Sequence, residues 1–155
     1  MSYNVNTIAN FFISKAVEEK SDICLMKLMK VCIISQGYYL AFNKTPLFLE
    51  SIEAWKFGPV IPHLYTNLKH LRLSPIGSLH LFSEPEKLTK DDVEFLEEVW
   101  FKFKSLNRID IANFLLDKSD SYERISSEVK SGKRINNTIS LCDLRKDFLL
   151  KINNM

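Results

Sequence analysis

The sequence contains few of the residues that build linkers, disulfides and metal sites. Its 155 residues include four glycines, five prolines, three cysteines and three histidines. So little glycine and proline leaves scant material for a flexible linker, and we expect a single domain over residues 1–155. The cysteines are odd in number and lack the spacing of a disulfide framework, which is typical of a reducing compartment. We therefore expect a cytoplasmic protein.

Excess charge and long apolar segments are also absent. The net charge of +2 at pH 7 is too small to predict a nucleic-acid partner, and no basic recognition helix stands out. The longest nearly uncharged run, residues 31–43, is too short to cross a bilayer. The first residues lack the basic and apolar stretches of a signal peptide. These observations predict neither nucleic-acid binding nor a membrane partner.

Motifs for catalysis are absent as well. The sequence has no nucleophile elbow, no Walker-type glycine loop, no dinucleotide fingerprint and no zinc-ligand spacing. Glu50 and Glu53 could face the same way as an acid pair, but nothing around them predicts a substrate pocket. We expect no catalytic residue, no metal site and no cofactor, and the chain is not predicted to be an enzyme.

Apolar residues recurring at helical spacing are the main structural signal. They predict helices over about 7–19, 23–42, from 61 or 62, 90–105 and 109–116, with Thr89 and Asn107 before the last two. Because the second half of helix 23–42 is apolar nearly all round, it is predicted to be a buried central helix. Gly37 within that helix would let another backbone approach closely. Residues 47–57 and 79–82 are predicted to be extended or short strands. The predicted fold is mainly α: a compact single-domain helical bundle around a buried central helix, with at most a short β-hairpin or extended segment.

One segment combines large aromatic residues with backbone restrictions. Trp55 and Phe57 directly precede Gly58 and Pro59, and Pro62 follows three residues later. Gly58 removes the steric barrier to a positive φ, while each proline fixes its own φ and favours extended geometry in the residue before it. Two interpretations are open. The aromatics either fill the core beneath a buried corner or form an anchor for a partner protein, since Trp and Tyr are frequent at binding hot spots.

The residues around this segment resemble a known family. Leu28-Met29-Lys30, then residues 35–41 (Ser-Gln-Gly-Tyr-Tyr-Leu-Ala), 46–48 (Pro-Leu-Phe) and 52–60 (Ile-Glu-Ala-Trp-Lys-Phe-Gly-Pro-Val) are similar to the Panacea domain. This phage-associated family includes SocA-like antitoxins. The resemblance is good over about residues 7–71 and loose beyond them. Departures include Ile33 where the family often has tyrosine, and Ser121-Tyr122 where a Pro-Trp pair is frequent.

The resemblance implies an antitoxin that neutralises a cognate toxin by direct protein binding, with SocA-like members also delivering the toxin to the ClpXP protease. The residues that it and the aromatic segment predict for partner binding are Trp55, Lys56, Phe57, Tyr65, Lys27 and Lys30, with the acidic helix after residue 84 at the rim. Residues predicted to shape the fold are Gln36, Gly37, Gly58, Pro59 and Pro62. An alternative is a phage- or plasmid-associated regulator, or an orphan interaction domain without antitoxin activity.

Overall fold

The computed structural model describes residues 2–117 and 119–153. The described residues form seven α-helices: α1 Val5–Glu18, α2 Leu25–Asn43, α3 Pro62–Leu68, α4 Lys90–Phe103, α5 Arg108–Leu116, α6 Asp120–Lys130 and α7 Leu141–Asn153. Three short strands, β1 Ile52–Trp55, β2 Gly58–Val60 and β3 Thr138–Ile139, form an antiparallel sheet in the order β2-β1-β3. The mainly α fold is confirmed. The β-structure exceeds the predicted hairpin by one two-residue strand.

Helix α2 lies at the centre of the molecule, as predicted. It packs against α1, α3, α4, α5, α7 and β2. Most of its side chains are buried, including the polar Ser35 and Gln36. A helix with neighbours on all sides needs apolar residues around its whole circumference, which explains the lack of a polar stripe in its sequence.

Helices α2 and α7 approach each other closely at Gly37. A Cβ atom at this position would lie 2.2 Å from the ring of Phe148. The close approach expected at Gly37 is therefore present, but an aromatic ring rather than a backbone makes it. Tyr38 adds an edge-on contact with the same ring, at 5.0 Å between centroids.

Polar side chains fix the helix starts. The Thr89 hydroxyl accepts from the Asp92 amide at 3.2 Å, and Asn107 accepts from the Asp110 amide at 2.8 Å, so both predicted starts are confirmed. Helix α1 starts earlier than predicted because Asn4 caps it, accepting from the Asn6 amide at 2.8 Å.

The segment between α3 and α4 corrects one prediction. Residues 79–82 were expected to form a strand, but residues 78–80 form a single 3₁₀ turn. The Gly77 amide donates to His80 Nδ1 at 2.9 Å, which closes this turn locally. The segment is tied to α1 by Asn10, whose side chain bonds both the amide and the carbonyl of Phe82 at 2.8 Å.

The last third of the chain contains more regular structure than the sequence patterns predicted. Residues 131–133 form a turn after α6, and α6, β3 and α7 were not predicted. Asp147 of α7 is buried and accepts from the hydroxyls of Ser119, at 3.0 Å, and Ser121. This carboxylate thereby joins α7 to the start of α6. Within the described residues, no helix has the length and apolarity needed to span a membrane.

Candidate partner-binding surface

The aromatic segment forms a tight β-hairpin. Trp55 pairs with Gly58 and Glu53 with Val60, so Lys56 and Phe57 alone make the turn. We call residues 55–58 the hairpin tip. Gly58 has a φ of 123°, a conformation that L side chains rarely adopt, which explains the glycine. Lys56 and Phe57 both point into solvent.

The Phe57 side chain is the most exposed aromatic group of the hairpin, at 77%. The Lys56 ammonium lies 5.3 Å from the centre of its ring, within range of a cation–π contact. A large apolar side chain left in water at a hairpin turn adds nothing to the core. The buried-corner interpretation therefore does not hold for Phe57.

Trp55 and Tyr65 form the partly buried part of the same surface, next to the exposed Phe57. Their rings meet edge-on, with centroids 4.9 Å apart, and both side chains are partly buried. The Trp55 indole N–H donates to Glu53 Oε1 at 2.8 Å. Pro62 at the start of α3 helps to position Tyr65, because its fixed φ suits the first turn of a helix. The structure thus brings four of the predicted binding residues together: Trp55, Lys56, Phe57 and Tyr65.

Tyr122 of α6 holds the hairpin tip from one side. Its hydroxyl donates to the Trp55 carbonyl, and the Gly58 amide donates to that hydroxyl at 3.0 Å. A hydroxyl can donate and accept at once, so one side chain fixes both ends of the turn. In the sequence, Tyr122 stands out only as a departure from the family pattern, because its role depends on a contact across 64 residues.

Lys30 holds the hairpin from below. Its ammonium donates to the Pro59 carbonyl at 2.6 Å, and the side chain is 1% exposed. Burial disfavours the charged form and lowers the pKa of Lys30 to about 8. A Cβ on residue 58 would lie 2.9 Å from the Lys30 Nζ, so Gly58 also makes room for the ammonium group.

Lys27 and Lys30 are therefore separate from the exposed surface for which they were predicted. Lys27 Nζ donates to the Lys104 carbonyl at 2.5 Å and lies 5.9 Å from the Trp100 ring, and burial lowers its pKa. Contact of either lysine with a partner would require its side chain to leave the backbone carbonyl that it bonds. Both lysine side chains are buried.

Two other predictions concern the surroundings of the hairpin: a structural role for Gln36, and an acidic helix at the rim of the binding surface. Gln36 clamps the segment before β1: its side chain donates to the Phe48 carbonyl at 2.6 Å and accepts from the Leu47 amide at 2.7 Å. The acidic helix α4 was predicted to rim the binding surface, but it packs against α1 and α2, whereas the hairpin packs against α2 and α6.

The acid pair considered in the sequence is occupied by structural contacts. Glu50 accepts from the Val5 amide at 3.0 Å, and Glu53 accepts from the Trp55 indole. Among the described residues, no three His, Cys, Asp or Glu side chains lie together in a way that could hold a metal ion.

Comparison with known proteins assigns this arrangement to a family. The model of the family described as "Antitoxin SocA-like, Panacea domain" matches residues 28–121. The chain belongs to this family. The matched Panacea domain region contains the hairpin, Lys30, Gln36 and Tyr65, and it ends one residue before Tyr122. The resemblance seen in the sequence is confirmed.

A curated relative in the same family gives a more limited likeness. Antitoxin SocA of Caulobacter vibrioides (strain NA1000 / CB15N) is 34% identical over 64 residues. The alignment covers 41% of this chain and 34% of the relative, so this Panacea domain chain matches about a third of that protein. No solved structure matches the chain.

Proposed function

We propose that this chain is an antitoxin-like protein that neutralises a toxin by direct, stoichiometric binding. The contact surface is formed by Trp55, Lys56, Phe57 and Tyr65. The observation that carries the proposal is the exposed Phe57 ring on a hairpin tip held by Lys30 and Tyr122, within the matched family region. The name of the relative, Antitoxin SocA, supports the class of activity.

The rigidity of the hairpin tip suits it for binding. A side chain that is already positioned loses little conformational freedom when a partner covers it. Hydrogen bonds from Tyr122 and Lys30 to the backbone of Trp55, Gly58 and Pro59 position the turn before any partner arrives. Aromatic residues at the centre of an interface are common hot spots. We expect Phe57 to enter an apolar pocket whose rim carries carboxylates facing Lys56.

Growth rescue tests the proposed function. The chain is co-expressed with the product of the neighbouring gene, and toxicity, rescue and co-purification are measured. We expect the neighbour alone to stop growth, and the two proteins to co-purify when growth is restored. If the product of the neighbouring gene is not toxic and does not co-purify with the chain, the result would favour the alternative of a regulator or an orphan interaction domain.

Two substitutions test the surface itself. Phe57→Ala and Lys56→Glu are each expected to weaken partner binding roughly tenfold or more in a titration. The first removes the apolar anchor, and the second reverses the charge beside it. Leu79→Ala is the matched control: Leu79 is 95% exposed and lies in the segment between α3 and α4. If both variants are folded and bind the partner as tightly as the Leu79→Ala control, the hairpin tip is not the binding surface.

Delivery of the bound toxin to ClpXP extends the same proposal, and it is suggested by the resemblance to SocA-like antitoxins. It is tested by the half-life of the purified toxin with ClpXP and ATP. We expect degradation to accelerate only when this chain is present. Neutralisation without faster degradation would limit the function to blocking.

A further inference from the structure

A groove lies beside the hairpin, between β1 and α6. Its cavity volume is about 1010 Å³, at the upper end of the range for ligand sites in proteins. Trp55 and Lys56 line the hairpin side. Tyr122, Ser127 and Lys130 line the α6 side. Lys56 therefore belongs both to the hairpin tip and to the groove.

The charges in the groove favour an acidic ligand. Among the described residues that line the groove there are two lysines, Lys56 and Lys130, and one carboxylate, that of Glu123. Among the described residues, neither lysine makes an ion pair, although two other basic residues nearby do: Arg124 with Asp143 at 2.9 Å, and Arg134 with Glu128 at 4.0 Å. Two ammonium groups that have no carboxylate partner in the described part of the chain are available for a carboxylate supplied from outside.

The neutral groups of the groove favour an extended chain over a helix. The hydroxyls of Ser126 and Ser127 line it and make no hydrogen bond within the part of the chain that the structure describes. An extended segment presents unpaired backbone N–H and C=O groups that such hydroxyls can bond, whereas a helix pairs its backbone internally. Leu116 and Val129 form an apolar part of the lining, which could contact every second side chain of an extended segment.

We propose that this groove binds an extended, acidic segment of a partner polypeptide, seated beside the hairpin tip. The segment belongs to the toxin of the proposed function, on which this inference therefore rests. Nucleic acid fits less well, because its backbone carries a charge at every nucleotide and the described lining offers two lysines against one carboxylate, which suits a segment with few acidic residues. The hairpin tip would supply the apolar anchor, and the groove would select the sequence that follows it.

Selection of peptides tests the groove without any toxin. A random peptide library displayed on phage is selected on the full chain, and enriched peptides are labelled and titrated by fluorescence anisotropy. We expect enrichment of peptides in which acidic and apolar residues are mixed, with affinity that falls as salt increases. Failure to enrich an acidic family would overturn the inference.

Three variants locate the peptide. Ser127→Trp fills the groove from an exposed position of α6 and should weaken binding at least about tenfold. Lys130→Glu should weaken it by a smaller factor that disappears at high salt. Ser78→Trp, an exposed change in the 3₁₀ turn outside the groove, should leave binding unchanged. Peptides that bind the first two variants like wild type would overturn the inference.

The same variants separate the groove from the proposed function. Suppose that toxin binding is lost in Phe57→Ala and unchanged in both Ser127→Trp and Lys130→Glu. That result would support the hairpin tip as the toxin-binding surface and would overturn the proposal that the groove binds a segment of the toxin. The opposite result is peptide binding that depends on the groove, together with a product of the neighbouring gene that is not toxic. It would contradict the antitoxin proposal and identify the chain as a peptide-binding domain.

Discussion

Gly58 meets two separate requirements of the hairpin. Its φ is 123°, and a Cβ there would lie 2.9 Å from the Lys30 ammonium. We expect Gly58→Ala to lower the free energy of unfolding by about 2–4 kcal/mol, combining backbone strain of about 1–3 kcal/mol with displacement of a buried ammonium. Urea denaturation followed by circular dichroism measures this change.

Two other glycines serve as matched controls for Gly58. Gly132 has a φ of 81°, but among the described residues beyond its chain neighbours no atom lies within 4 Å of its Cβ position, so Gly132→Ala should cost only the strain, about 1–2 kcal/mol. Gly77 has neither constraint, and Gly77→Ala should change stability by about 0.5 kcal/mol or less. Equal losses at residues 58 and 132 would mean that the Lys30 contact contributes nothing.

Lys30 should make stability depend on pH. Its pKa is lowered in the folded protein to about 8 from 10.5, so the unfolded chain binds more protons between these values. Stability should therefore increase as the pH rises from about 8 towards 10.5, and the cost of the buried charge is fully present below pH 8. The increase is expected to be at most about 3 kcal/mol.

The matched variant for this prediction is Lys30→Met. Thiols and phenols also titrate in the same window, so the quantity to compare is the difference in unfolding free energy between wild type and Lys30→Met at each pH. We expect that difference to shift in favour of wild type between pH 8 and 10. A difference that stays flat would show that the Lys30 pKa is not lowered.

At the level of whole elements, the contact between α2 and α7 depends on the absence of a side chain at residue 37. The Gly37→Ala methyl group would overlap the Phe148 ring at 2.2 Å. We expect a loss of about 1–3 kcal/mol, because a well-packed interior does not admit an extra carbon without strain. Thermal unfolding of the single variant measures it.

A double-mutant cycle shows whether the two helices are the cause. Phe148→Leu alone should destabilise by leaving a cavity, but it should relieve the overlap in the Gly37→Ala background. The double variant is therefore expected to lose less than the sum of the single losses. Additive losses would place the strain elsewhere than at the contact with α7.

The elements that the sequence predicted are those with strong local signals. The second half of helix α2 is apolar nearly all round, and α4 and α5 start at capping residues, so these signals can be read from the residues of each helix and its ends. Helix α6 also starts at a capping residue, Ser119, which accepts from the Tyr122 amide at 3.4 Å, but only Ser121 and Ile125 are buried in it, so its apolar signal is weak. Strand β3 has two residues and exists only through its pairing with Ile52 and Glu53. Its formation depends on the tertiary fold.

The candidate site shows the same division. The sequence placed Trp55, Lys56, Phe57 and Tyr65 in one segment, and the structure brings them together. It could not reveal that Phe57 is exposed while the lysines of α2 are buried, because burial depends on neighbours distant in the sequence. Tyr122 was missed for the same reason.

At the scale of the whole molecule, α2 joins every region that packs against it into one unit. The hairpin reaches α2 through β2, and α4 packs on it directly. We expect unfolding to be a single cooperative transition, as is usual for domains of this size. The two tryptophans lie in these two regions: Trp55 in the hairpin and the buried Trp100 in α4.

Variants with one tryptophan each test this cooperativity. Trp100→Phe leaves fluorescence from the hairpin, and Trp55→Phe leaves it from α4. Within each variant, we expect the fluorescence transition in urea to coincide with that of far-ultraviolet circular dichroism, because loss of α2 removes the support of both regions. The comparison is made within a variant, so the stability lost by the substitution itself cancels. A Trp55 transition at lower urea than the helical transition would show that the hairpin opens separately, and the binding tip would then not be held in place before a partner arrives.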